Sequence, residues 1–95
     1  MSEFVMAQKI SVRAIEQTKY RVTVEEGETK TVHDVVITPH DLERFGQGVS
    51  AESLLKASFE FLLQREPKES ILSRFQLSDI ERYFPDYGKK IRDLL

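Results

Sequence analysis

The sequence predicts an α+β fold: an N-terminal antiparallel two- or three-stranded sheet followed by a C-terminal helical segment of four or five helices. Three observations predict it. Residues 20–38 hold two runs that alternate apolar and polar residues or are rich in β-branched side chains, which is the signature of strands. At Thr38 the spacing changes to the three and four residues of amphipathic helices. Strands come first and helices follow, an order that argues for segregated layers rather than the alternating units of a parallel sheet.

Each element follows in turn. Ile10, Val12 and Ala14 alternate with Ser11 and Arg13 and suit a third antiparallel strand. No Gly or Pro marks a turn after them, so whether residues 8–17 form a strand stays open. Residues 1–7 are expected to be disordered. Tyr20, Val22 and Val24 form one strand face, and residues 31–38 form the next strand. Between them Gly27 supplies the positive φ that a tight hairpin needs. Thr38, Pro39 and Asp41 read as a helix start, with Thr38 as N-cap and Pro39 in the first turn. Gly46 ends that helix.

Ser50 caps the main helix, residues 50–66, which Pro67 ends by restricting Glu66. Leu54, Leu55, Ala57, Ser58, Phe61 and Leu62 form its buried stripe, with Phe59 beside it. That stripe is expected to pack on the sheet face bearing Tyr20, Val22 and Val24. Short helices are expected over residues 67–75, from a capping box at Ser78 and Glu81 up to Pro85, and over residues 86–95.

Size and composition bound the rest. A chain of 95 residues makes one domain: sheet over 8–38, helices over 39–95. It buries only about 60–65% of its unfolded surface. No cysteine is present, which excludes disulfides and thiolate metal sites. The N-terminal residues have an acid where a secretory signal carries cations, and apolar runs are too short to span a bilayer. A cytoplasmic protein with no membrane partner is the expectation. Net charge is -2. Residues 1–47 hold six Lys or Arg and eight Asp or Glu, and residues 66–95 hold six of each. The linear order therefore shows none of the cation excess of a phosphate-tracking protein.

Candidate chemistry is sparse. His33 and His40 are the only histidines, too few for a zinc site that needs three or four ligands. Glu25, Glu26 and Glu28 cluster at the hairpin turn, where solvated carboxylates are ordinary. Gly46 and Gly48 lack the further motif residues of a phosphate loop. No catalytic residue, cofactor or metal is expected, and the chain reads as no enzyme. Residues 70–84 hold the pieces of a helix-turn-helix, with Arg82 facing the groove of DNA and Arg74 on a phosphate; Asp79 and Glu81 in the same segment oppose phosphate. Tyr83 and Tyr87 are candidate partner contacts, because tyrosine offers an apolar ring with a wet hydroxyl. Equally they fit the half-exposed rim of a core that contains Phe75, Ile80 and Phe84.

Residues 60–67 (EFLLQREP), 70–75 (SILSRF) and 77–87 (LSDIERYFPDY) resemble a family of small bacterial proteins of unknown function. The hairpin and the Thr38–Asp41 start fit the same layout. The resemblance implies no activity and no functional residue. The function expected from the residues is a small non-enzymatic protein-interaction or regulatory module, acting on another protein or by self-association. The alternative is a DNA-binding regulator that uses residues 70–84.

Overall fold

Alternation of apolar and polar side chains in the first third of the chain gives three strands, β1 (Gln8–Ala14), β2 (Lys19–Glu26) and β3 (Thr29–Val36). The structure, a computed structural model, describes residues 8–95, so the disorder expected of residues 1–7 lies outside it. β1 pairs antiparallel with β2, placing Ile10 opposite Val24 and Val12 opposite Val22. β2 pairs antiparallel with β3 and closes at Glu26 opposite Thr29. That leaves Gly27 and Glu28 as the loop, and Gly27 takes a φ of 61°, as primed hairpin turns require at their first position. The turn from β1 to β2 needs no glycine: the Ile15 and Glu16 amides both donate to the Lys19 carbonyl, at 2.9 and 3.1 Å.

The helices begin where the caps place them. α1 (Pro39–Phe45) opens on a capping box, in which the Asp41 amide donates to Thr38 Oγ1 and the Thr38 amide donates to Asp41 Oδ2, each at 3.1 Å. α2 (Ala51–Leu63) opens on Ser50, whose Oγ accepts from the Ser53 amide at 3.1 Å. It ends three residues before the expected Glu66. The Arg65 and Glu66 amides both turn back to the Leu62 carbonyl, so the chain leaves the helix ahead of Pro67. α3 (Asp79–Tyr83) and α4 (Tyr87–Leu94) complete the helical layer.

The core lies between that layer and one face of the sheet. Val22, Val24 and Val35 are fully buried there with Leu54, Leu55, Phe59 and Phe61. Tyr20 packs against the same cluster while only partly buried. The Phe59 ring sits 5.2 Å from His33 and 6.1 Å from Phe75. Close packing of this kind, not propensity, holds short helices in place.

The helix expected over residues 67–75 does not form. The chain there makes a 3-10 helix, Lys68–Ser70, and then β4 (Arg74–Gln76). β4 pairs parallel with β3, giving a mixed four-stranded sheet in the order β1-β2-β3-β4. The cause is tertiary. β3 has an edge whose backbone groups need partners, and the Asp34 amide donates to Ser73 O at 2.8 Å while the Leu77 amide donates to Val36 O at 2.9 Å. Residues 70–84 therefore lack the first helix of a helix-turn-helix, and α3, at five residues, is too short to read a groove.

Candidate functional site

β4, α3 and the residues beyond α2 leave a groove of about 250 Å³ between them. Its floor is apolar: Leu62, Ile71 and Ile80 are buried, and Phe75 and Phe84 pack partly buried against the same core. Its rim is apolar as well, and open. Leu72 is 50% exposed and Tyr83 67% exposed. The residues Glu66 and Asp79 add carboxylates to the wall.

Local chemistry holds this rim in place. His33 is buried beneath it, with Nδ1 2.8 Å from the Leu72 carbonyl and Nε2 2.8 Å from Thr31 Oγ1. A carbonyl only accepts, so Nδ1 carries the proton and the Thr31 hydroxyl donates to Nε2. Burial lowers the imidazole pKa below its ordinary value, against the raising influence of the Leu72 hydrogen bond and the Asp34 charge. The His33 ring thus pins the Leu72 backbone. In an extended segment the neighbours Ile71 and Leu72 point opposite ways, and with Ile71 buried Leu72 is left outside.

Lys68 anchors the other end of the segment. Its side chain is 2% exposed, with Nζ 3.6 Å from Glu26 and 2.5 Å from Glu69; the Glu69 hydrogen bond is the main reason its pKa is raised. At the groove wall Asp79 Oδ2 accepts from the Gln76 amide at 3.1 Å, which ties β4 to the start of α3. Its other oxygen lies 3.9 Å from Arg82 Nη1. Glu66 has its pKa raised by burial.

The two tyrosines singled out by sequence part company. Tyr83 stands on the groove rim. Tyr87 is fully buried, so the partner contact expected of it is corrected to a core role. Pro85 and Asp86 interrupt the helix, α4 restarts at Tyr87, and the ring turns inward to lie 5.0 Å from Phe45 and 5.2 Å from Phe61. Its hydroxyl is 2.6 Å from Ser58 Oγ. The Ser58 hydroxyl donates to the Leu54 carbonyl at 2.7 Å, so Tyr87 supplies the proton between the two hydroxyls. Burial raises the phenol pKa.

Arg74 and Arg82 do not share a surface as a helix-turn-helix would require. Arg74 stands on β4 opposite Asp34, on the sheet face away from the helices. Arg82, on α3, is 81% exposed beside Asp79. His33 is buried and His40 exposed, and no group of three or more His, Cys, Asp or Glu is placed to hold a metal among the described residues. Sequence reasoning missed Leu72 and Glu66. The adjacent apolar pair Ile71 and Leu72 was the available signal, since an extended chain buries only one of the two.

Compared with known proteins, the chain matches no family model, no curated protein and no solved structure.

Proposed function

We propose that this chain is a non-enzymatic interaction module whose groove receives an apolar side chain of a partner protein, with a neighbouring Lys or Arg of that partner meeting Glu66 and Asp79. The observation that carries this reading is the rim of Leu72 and Tyr83, exposed to 50% and 67% above an apolar floor. Large apolar side chains held open beside a concave surface are the usual mark of a binding site. The groove, at about 250 Å³, suits one aromatic or large aliphatic anchor better than the roughly 300–1,000 Å³ of a typical small-molecule pocket. Covering the exposed half of Leu72 contributes about 0.7–1.5 kcal/mol, a fitting share for one contact of a transient complex.

A peptide-display selection tests the reading. The expected winners share one bulky apolar residue next to a Lys or Arg. Their binding falls at least tenfold with Leu72→Asp or Tyr83→Asp, while the fold is unchanged because both side chains are exposed. Winners with no common pattern, or binding indifferent to both substitutions, would refute it. Among the described residues no helix is long and apolar enough to cross a membrane.

A further inference from the structure

The sheet has a second face, opposite the helices. Side chains that stand opposite each other across paired strands point the same way. One row crosses all four strands: Arg13 opposite Arg21, Arg21 opposite Asp34, Asp34 opposite Arg74. Two residues along, Ser11, Thr23 and Val32 form the next row, and Lys9, Glu25 and Lys30 the one beyond. On the other side Lys19 stands opposite Val36.

Among the described residues this face therefore gathers Lys9, Arg13, Lys19, Arg21, Lys30 and Arg74 against Glu25 and Asp34 on the strands and Glu16 at its edge, whose carboxylate lies 3.7 Å from Lys19 Nζ. The whole chain has 14 Lys and Arg and 16 Asp and Glu, yet here six cations meet three carboxylates. A chain of net charge -2 presents one face with an excess of three positive charges. Lys9, Arg13, Lys30 and Arg74 are exposed, and the Arg21 side chain keeps 41% of its surface. Asp34 holds Arg21 by two hydrogen bonds, Nε at 2.9 Å and Nη2 at 3.3 Å. That fixes one guanidinium at the centre of the row and leaves other N–H groups of its fork free to donate.

We propose that this open sheet face binds the phosphate backbone of a nucleic acid strand. Rows on one face recur every two residues, about 6.6–6.8 Å apart, with the hydroxyls of Ser11 and Thr23 lying between the charged rows. Guanidinium, ammonium and hydroxyl donors in such an array are the groups that phosphate oxygens accept from. Among the described residues the face carries no aromatic ring for base stacking, so recognition goes to the backbone and is indifferent to sequence. A protein interface needs an apolar centre, and here the pairing supplies only Val32 and Val36. The groove lies across the sheet, at Phase-opposite residues of β4: Phe75 faces it while Arg74 faces the strand-binding surface. The two sites are therefore separable.

The test is fluorescence anisotropy with a labelled single-stranded oligonucleotide at several salt concentrations. The expected affinity is that of non-specific binding, roughly 1–100 µM at physiological salt and tighter at low salt. Four neutralised phosphates on a single strand give a log–log salt slope of about -2.8, or roughly a 50-fold loss between about 50 and about 200 mM salt. Arg13→Ser and Arg74→Ser, both at exposed positions, each flatten the slope by about 0.7 and weaken binding. Arg82→Ser, off this face, leaves it unchanged. Circular dichroism confirms that each variant is folded. Absence of binding at about 50 mM salt overturns the proposal. So does equal weakening by Arg82→Ser, or displacement of the oligonucleotide by an equal charge concentration of polyglutamate, which would assign the face to acidic proteins.

Discussion

Removing the Ser58 hydroxyl is expected to destabilise the fold more than removing the Tyr87 hydroxyl, although both take part in one hydrogen bond. The two side chains are fully buried, and the proton order is set: Tyr87 donates to Ser58, which donates to the Leu54 carbonyl. Ser58→Ala leaves the phenol proton buried without an acceptor, a cost of about 1–3 kcal/mol. The gain in helix propensity offsets about 0.5 kcal/mol of it, for a net loss of roughly 0.5–2.5 kcal/mol. Tyr87→Phe removes the donor but leaves Ser58 bonded to Leu54, so it costs about 1 kcal/mol. In the double variant neither orphan remains, and its cost falls about 1–2 kcal/mol short of the sum of the singles. Urea denaturation followed by circular dichroism measures all three, with the slope m held constant as the check on two-state behaviour. Additive costs, or a neutral Ser58→Ala beside a costly Tyr87→Phe, would refute the proton order and the burial argument together.

Two further perturbations follow from the same geometry. The folded His33 imidazole has its pKa lowered by burial, whereas the unfolded one protonates near about 6.5; the unfolded state binds more protons, so this contribution to stability is present above about 6.5 and is lost as pH falls toward the folded value. His33→Gln should remove that part of the pH dependence, and urea midpoints at about pH 7.5 and about pH 5.5, bracketing the free imidazole, test it: equal changes in both proteins would rule it out. Thr38→Ala deletes the N-cap of α1 and should cost about 0.5–2 kcal/mol, while Thr38→Ser keeps most of it; thermal unfolding of the pair decides, and identical midpoints for all three proteins would show that the capping box contributes nothing.

Much of the local structure was legible. Alternation at Tyr20, Val22 and Val24 placed β2, Gly27 placed the hairpin turn, and Thr38 and Ser50 placed the starts of α1 and α2. Each of these is written in a few neighbouring residues, because turns and caps are satisfied within one turn of chain. The candidate site was legible only in part. Tyr83 carried a signal, and it stands on the groove rim. Tyr87 carried the same signal and is buried, because the break at Pro85 and Asp86 resets the helix phase and no periodicity runs across it.

The sequence by itself determined the α+β class, the antiparallel hairpin that precedes the helices and the residues that cap α1 and α2. Tertiary structure alone decided three things. β4 exists because the edge of β3 has backbone groups to satisfy, and a three-residue strand has no periodic signal of its own. The groove exists because His33 fixes the Leu72 backbone, Lys68 anchors the segment before it to β2, and Asp79 ties β4 to α3, residues that lie far apart in the chain. The positive sheet face exists because cations scattered from Lys9 to Arg74 fall into register when the strands pair. Along the chain their charges are balanced by neighbouring acids; across the sheet the alternation of side chains sends most of those acids elsewhere.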